Sequence, residues 1–90
     1  MKIAYDPAKD RANRQKHGVS LALAADLDVD AALVVADRRR AYGEERFQAI
    51  APIDGRLHVL VFTMRGNTLR AISLRKANAR EVKRYAERRG

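Results

Sequence analysis

The stretch EERFQAIAPIDGRLHVLVFTMRGNTLRAISLRK, residues 44–76, decides the fold of this chain. It contains strand-like segments separated by Asp54-Gly55 and by Gly66-Asn67. Both pairs are typical of two-residue hairpin loops, because glycine, aspartate and asparagine tolerate the positive φ that such turns require. The stretch therefore predicts consecutive antiparallel strands, which cover approximately Glu44–Ile53, Arg56–Arg65 and Thr68–Lys76.

The residues before this stretch predict a short strand followed by a polar helix. Lys2 to Tyr5 alternates between polar and apolar residues, as strands do. Asp6-Pro7 is typical of an N-cap followed by the first helical residue. This helix extends through Lys16, and we expect it to bury Ala8 and Ala12.

A second helix and another strand are predicted next. Ser20 can cap the helix, in which Leu23 and Leu27 lie one turn apart on the buried face. The apolar run Ala31–Ala36 suits a buried strand.

The last helix begins at Asn78, and Glu81 completes a capping-box pair with it. Its predicted buried stripe is formed by Ala79, Val82 and Ala86, with Tyr85 beside them. The order β-α-α-β-β-β-β-α predicts an α+β fold in one domain over residues 1–90. This fold has a four-stranded antiparallel sheet, a short N-terminal strand, two N-terminal helices and a C-terminal helix.

The hairpin loops also predict which side chains share a face of the sheet. If each loop has two residues, Thr63 lies between Arg46 and Arg70, and Arg65 lies opposite Glu44. The same register places His58 opposite Arg75 on the other face. One end of one face then carries a basic cluster of Glu44, Arg46, Thr63, Arg65, Thr68 and Arg70.

The charge is strongly positive and is concentrated near the end of the chain. The net charge is +8, and residues 65–90 carry nine positive and two negative side chains. Such a region favours binding to a polyanion such as a nucleic acid, although it also suits docking of an acidic protein. The chain has no cysteine, no signal-peptide pattern and no apolar run near the ~18 residues needed to span a bilayer. We therefore expect a cytoplasmic protein without membrane contact.

Several single residues allow two interpretations each. His17 is either a general acid or base or a helix C-terminal residue. Tyr85 either stacks on a base or covers the sheet. Arg38-Arg39-Arg40 is either an RNA-contacting loop or a solvated connection. The two histidines lack ligand spacing, so the sequence predicts no metal site and no cofactor.

Motifs along nearly the whole chain, from Tyr5 to Tyr85, resemble those of the BrnT toxin family. Lys16-His17-Gly18-Val19-Ser20 is the most distinctive of them. Tyr5 stands where the family often has tryptophan, and Leu21-Ala22-Leu23-Ala24 replaces the usual early acidic residues. The other matching segments are Tyr5-Asp6-Pro7, Lys9, Asn13, Tyr42-Gly43-Glu44-Glu45-Arg46, Val61-Phe62-Thr63-Met64-Arg65-Gly66, Arg70-Ala71-Ile72-Ser73-Leu74-Arg75-Lys76-Ala77, Glu81 and Tyr85.

The resemblance implies a RelE-like fold and a ribonuclease toxin of a type II toxin-antitoxin system. It also implies a BrnA-type antitoxin with a ribbon-helix-helix DNA-binding domain. Operator DNA would then be bound only through the complex of both proteins.

A ribonuclease without a metal must orient the 2′-OH, stabilise charge on the phosphoryl oxygens and move protons. We expect arginines to bind the phosphate and Glu44 to act as general base or to orient an arginine, with His17 as a further acid or base. The predicted catalytic residues are Glu44, Arg46, Arg65, Arg70 and His17, and the predicted RNA-binding residues are Arg75, Lys76, Lys16, Tyr85 and Arg84.

Two other functions use the same basic surface. A noncatalytic nucleic-acid-binding module would bind RNA without cleaving it. A protein-interaction domain would dock an acidic helix and bind no RNA.

Overall fold

The computed structural model describes residues 2–89 and shows an α+β fold around a five-stranded mixed sheet. Met1 and Gly90, the two ends of the predicted domain, lie outside the described residues. The strands are β1 (Lys2–Ala4), β2 (Leu33–Ala36), β3 (Phe47–Ile53), β4 (Arg56–Arg65) and β5 (Thr68–Lys76). The helices are α1 (Pro7–His17), α2 (Ala79–Arg89) and two 3₁₀ helices, Leu21–Asp26 and Val29–Ala31.

The sheet order is β1-β5-β4-β3-β2, and β1 pairs with β5 in parallel. The four predicted antiparallel strands are present as β2–β5, but the predicted four-stranded sheet was incomplete, because the N-terminal strand joins it as a fifth, parallel strand. Alternation along a segment indicates a strand but does not name its partner. The partner is decided by Ile3, which lies opposite Leu69 and packs against the core.

Both predicted hairpins are confirmed. Asp54 and Gly55 have φ values of 49° and 77°, which is the left-handed conformation that the turn requires. The register of β3 with β4 is the predicted one, from Phe47 opposite Phe62 to Ile53 opposite Arg56. The strand predicted from Glu44 begins only at Phe47.

The register of β4 with β5 changes at a β-bulge. The predicted pairs hold from Arg65–Thr68 to Phe62–Ala71, and Val61 then lies opposite Ser73. A bulge inserts one extra residue, here Ile72, and an odd shift moves every later side chain to the other face. The predicted pair His58–Arg75 was therefore wrong. His58 lies opposite Lys76, and Arg75 lies opposite Val59.

The core lies on one face of the sheet, where the first 3₁₀ helix covers it. This element was predicted as an α-helix with Leu23 and Leu27 buried, and its predicted cap is confirmed because the Ser20 hydroxyl accepts a hydrogen bond from the Ala22 N–H (3.1 Å). The buried side chains in this region are Leu21, Ala24 and Leu27, whereas Leu23 is only partly buried. Their spacing of three residues matches the three-residue turn of a 3₁₀ helix.

Helix α1 buries polar side chains instead of the predicted alanines. Ala8 and Ala12 are exposed, whereas Asp10 and Asn13 are buried. Asp10 accepts hydrogen bonds from the Leu21 N–H (2.7 Å) and the Ser20 hydroxyl (3.0 Å). The Leu21 hydrogen bond lowers the pKa of Asp10. Asp10 is buried in place of the alanines because its carboxylate satisfies the Leu21 N–H, which would otherwise be buried without a partner.

Asn13 fastens α1 to the edge of the sheet. Its Oδ1 accepts from the Leu74 N–H (3.0 Å), and its Nδ2 donates to the Leu74 carbonyl (2.8 Å) and the Val19 carbonyl (2.9 Å). Strand β1 pairs with β5 only as far as Arg70. Asn13 therefore takes the place of a neighbouring strand where β1 has ended.

Helix α2 begins at Ala79, one residue later than predicted, and its capping box is confirmed. Asn78 and Glu81 exchange two hydrogen bonds of 2.9 Å. The predicted buried stripe was wrong, because Ala79, Val82 and Ala86 are all exposed. The helix instead packs through Tyr85 onto Ile50, Val59, Leu57 and Ala77.

Strand β2 is also more exposed than predicted. It lies at the sheet edge, where Val34 and Val35 are exposed. An apolar run predicts a strand but cannot distinguish an edge strand from a central one.

Candidate nucleic-acid interface

The face of the sheet opposite the core is only partly covered. Tyr85 of α2 packs on Ile50 and Val59, which occupy neighbouring positions on β3 and β4. Alternation along the strands places Gln48, Val61, Thr63, Arg70, Ser73 and Arg75 on the same side of the sheet. We call this side the open face.

Arg46 and Arg65 meet at Glu44 at one end of the open face. The Glu44 oxygens lie 3.5 Å from Arg46 Nε and 3.6 Å from Arg65 Nη2. Arg46 also stacks on Tyr42, with its Cζ 4.1 Å from the ring centroid. Arg46 Nε is buried and forms no hydrogen bond within residues 2–89. It lies close enough to Glu44 for an ion pair but does not hydrogen-bond to it. Glu44 and Arg65, which the hairpin register places opposite each other, thus form an ion pair.

Arg70 lies on the other side of Thr63 from Arg46. Thr63 pairs with Arg70 on β5. On the other side, Phe47 pairs with Phe62, so Arg46, one residue before Phe47, lies beside Thr63. Because β3 and β5 both flank β4, the Cα atoms of the two arginines are about 10 Å apart. The buried Thr63 hydroxyl donates to the Glu45 carbonyl (2.6 Å) and so fixes the segment that carries Arg46. Arg70 forms no ion pair with any described residue.

A groove of about 410 Å³ continues from this cluster along the open face. We call it the basic groove, and its cationic residues come from α1, from the connection after β2 and from β5. None of its lining residues among residues 2–89 is a carboxylate. The lining consists of Lys9, Ala12, Asn13, Lys16, His17, Arg39, Gln48, Val61, Ile72, Ser73 and Arg75.

The bulge brings Arg75 into the basic groove, contrary to its predicted position on the other face. Glu81 of α2 accepts two hydrogen bonds of 2.7 Å from the guanidinium. These bonds lower the pKa of Glu81, so the carboxylate is charged at neutral pH. A planar two-point contact of this kind fixes the direction of the arginine side chain.

His17 is partly buried at the end of α1. Desolvation lowers the pKa of its imidazole, and the charges of Lys16 and Arg75 lower it further. The ordinary value is 6.5, so the ring is neutral at pH 7. A neutral imidazole can accept a proton, which a protonated one cannot.

The structure does not bring all the predicted RNA-binding residues together. Lys16 lines the basic groove with Arg75. Lys76 follows Arg75 on β5, and alternation directs it to the opposite face. The Tyr85 hydroxyl donates to the Ala31 carbonyl (2.6 Å) while its ring packs on the sheet. Arg84 is exposed on α2. RNA contacts by Lys76, Tyr85 and Arg84 stay predictions.

The sequence did not predict a role in the site for two residues, Tyr42 and Asp37. Tyr42 stacks on Arg46, and Asp37 binds the side chains of Arg39 and Tyr42. Asp37 stands in a run of charged residues, which is the ordinary pattern of a solvated connection. Only its burial in the folded chain distinguishes it from the exposed aspartates.

Within the described part of the chain, no three histidine, cysteine or carboxylate residues come together as a possible metal site. No helix among residues 2–89 is long and apolar enough to cross a bilayer.

The fold and this interface define a small basic α+β protein with an arginine-lined open sheet face. A family model described as ribonuclease toxin, BrnT, of type II toxin-antitoxin system matches residues 5–81. The chain therefore belongs to the BrnT family of ribonuclease toxins. This membership supports endoribonuclease activity and implies an RNA substrate and an antitoxin partner. A search of curated proteins finds no match to the chain.

Proposed function

We propose that this protein is a metal-independent endoribonuclease whose basic open face binds the RNA backbone. The observation that carries the proposal is the placement of Arg46, Arg70 and Arg75 on one partly uncovered sheet face, with His17 lining the groove beside Arg75. The 2′-oxygen attacks the adjacent phosphorus and loses its proton, while the bond to the 5′-oxygen breaks and that oxygen gains a proton. The products are a 2′,3′-cyclic phosphate and a 5′-hydroxyl.

The arginines have the role of binding the phosphate and stabilising its added negative charge. Arg46 and Arg70 flank Thr63 at a separation that allows both long side chains to reach one phosphate. Glu44 suits the role of orienting Arg46 and Arg65, because its oxygens face both guanidiniums. His17 lines the adjacent basic groove, so it is the candidate general base for a 2′-OH on the groove side of the scissile phosphate.

The partner proposed for this toxin is a BrnA-type antitoxin with a ribbon-helix-helix domain. Operator DNA would be bound by the complex through that domain, and the toxin would act on RNA in the cytoplasm. Family membership supports a partner antitoxin. The exposed part of the basic face supports RNA as the ligand of the toxin itself.

The proposal is tested with purified protein and single-stranded RNA in the presence of EDTA. We expect cleavage, with 2′,3′-cyclic phosphate and 5′-hydroxyl ends identified by mass spectrometry. Binding without cleavage would contradict the enzyme and favour a noncatalytic RNA-binding module. Cleavage that appears only after a divalent cation is restored would contradict metal independence.

The pH dependence of cleavage tests the role of His17. Because the folded protein has a His17 pKa below 6.5, the base is neutral above that pH, and activity should fall as the pH drops through the lowered pKa. His17→Gln should remove this acidic limb from the kcat profile. His58→Gln is the matched control, because His58 is buried beside the Arg56 carbonyl and away from the groove. An unchanged acidic limb in His17→Gln would assign the base to another group.

A further inference from the structure

A buried carboxylate organises the connection between β2 and β3. The Asp37 side chain is 0% exposed. It accepts hydrogen bonds from Arg39 Nε (2.7 Å), Arg39 Nη2 (2.8 Å) and the Tyr42 hydroxyl (3.2 Å). Its N–H donates to the Arg46 carbonyl (2.7 Å), which joins the connection to the end of β3. The hydrogen bonds from the Arg39 side chain hold the pKa of Asp37 at about 2, so this carboxylate is ionised at neutral pH.

Arg39 is held by Asp37 and still reaches solvent. Its side chain is 62% exposed, and it lines the basic groove together with His17 and Arg75. The contact with Asp37 uses the Nε–H and one Nη2–H. A guanidinium has five N–H donors, so three remain for a ligand.

Arg75 is held in the same manner from another side of the groove. Glu81 accepts from its two terminal nitrogens, as Asp37 accepts from two nitrogens of Arg39. Glu81 raises the pKa of Arg75, and the positive charge of Arg39 acts in the opposite direction. Both side chains line the same groove, where their like charges repel each other. Among the residues that the structure describes, no carboxylate lines the groove between them, and an anion placed there would relieve the repulsion.

We propose that Arg39 and Arg75 form a second phosphate-binding site, with Asp37 as the positioning residue of Arg39. This site takes the phosphate next to the scissile one on the same RNA strand. The inference rests on the proposed function, which places the scissile phosphate at Arg46 and Arg70. The basic groove begins one residue pair farther along the strands, at Gln48, Val61 and Ser73, a step of about 6.7 Å, and Arg75 lies one pair beyond that, opposite Val59. The substrate is then a single strand that extends beyond the nucleotides flanking the cut.

The test compares cleavage of an RNA dinucleotide, which has one phosphodiester, with cleavage of trinucleotides, which have two. We expect the wild-type kcat/KM to be higher by about tenfold or more for a trinucleotide, because the second phosphate adds a charge-assisted contact. Arg39→Gln should remove most of this advantage and leave dinucleotide cleavage unchanged. Arg56→Gln, an exposed arginine at the β3–β4 hairpin, is the matched control and should behave as wild type.

Two further variants separate positioning from charge. Arg39→Lys keeps the charge but cannot make the two-point contact with Asp37, so it should restore only part of the trinucleotide advantage. Asp37→Asn should raise the trinucleotide KM by more than the dinucleotide KM, and the dinucleotide is not its control because Asp37 also binds Tyr42, which stacks on Arg46. If Asp37→Asn lowers the melting temperature too far for the assay, Arg39→Lys still tests whether Asp37 positions Arg39. Full rescue by lysine would overturn the positioning role of Asp37.

The second site itself is overturned if Arg39→Gln lowers cleavage of both substrates equally or resembles Arg56→Gln. A wild-type protein that cleaves neither substrate would contradict the proposed function and leave the site open to a binding measurement. In that case, binding of a fluorescent RNA oligonucleotide is followed against salt concentration. Loss of one phosphate contact should reduce the log–log slope by about 0.7, and an unchanged slope would reject the site.

Discussion

Replacing Arg46 with alanine is expected to lower kcat for RNA cleavage by about 10²–10³-fold, the usual effect of removing a donor that stabilises transition-state charge. Arg46 is held between Tyr42 and Glu44, with an Nε–H that has no hydrogen-bond partner among the described residues. The loss should be far larger in activity than in stability. Its stacking on Tyr42 and its pairing with Glu44 at the surface contribute only about 1 kcal/mol each.

The measurement is single-turnover cleavage of a labelled RNA together with the melting temperature of each variant. Arg56→Ala serves as the control for general loss of charge, because Arg56 is exposed at the opposite end of β4. Arg65→Ala should have a smaller effect than Arg46→Ala, since Arg65 contacts Glu44 from the solvent and is 63% exposed. A folded Arg46→Ala protein with wild-type cleavage would reject the assigned role.

Asn13→Ala is expected to destabilise the protein by about 3 kcal/mol or more. Asn13 is 5% exposed, and its amide makes three hydrogen bonds to the main chain of Leu74 and Val19. Alanine would leave one buried N–H and two carbonyls without these partners, and each unsatisfied group costs about 1–3 kcal/mol. In a chain of this size, the loss corresponds to a drop of at least about 12 °C in the melting temperature.

The stability change is measured by urea unfolding of purified variants. Gln15→Ala is the matched control, because Gln15 is an exposed amide on the same helix and its loss should stay within about 0.5 kcal/mol. Asn13→Asp keeps the acceptor for the Leu74 N–H but loses both donors, so it should also destabilise the fold. Equal stability of Asn13→Ala and Gln15→Ala would show that α1 is fastened to the sheet by other contacts.

The sequence predicted the features that depend on neighbouring residues. The hairpin turns, the Ser20 cap and the Asn78–Glu81 capping box all follow from residues that touch within a few positions of the chain. The register of β3 with β4 follows from its turn for the same reason. The meeting of Glu44 with Arg46 and Arg65 was predictable because it requires only one two-residue loop and strict alternation.

The candidate site depends on contacts that no local pattern announces. A single bulged residue, Ile72, moves Arg75 to the open face and Leu74 into the core. Asn13 looks like an ordinary solvated residue until the main chain of Leu74 meets it. Asp37 lies two positions from Arg39, but its burial depends on the folded chain. The alanines of both helices were predicted to be buried but are exposed. The hydrogen bonds of Asp10 and Asn13 orient α1, and the packing of Tyr85 on the sheet orients α2.

By itself, the sequence determined the α+β class, the family and the positive charge of this protein, since these depend on residue types and short spacings. Only the tertiary structure decided which cations share a groove. Strand pairing brings residues that are distant in the sequence to one surface. The bulge at Ile72 then reverses which face of the sheet the later residues of β5 occupy. Charge attracts RNA wherever it lies, but binding a particular phosphate requires guanidiniums held in one direction, here by Asp37 and Glu81.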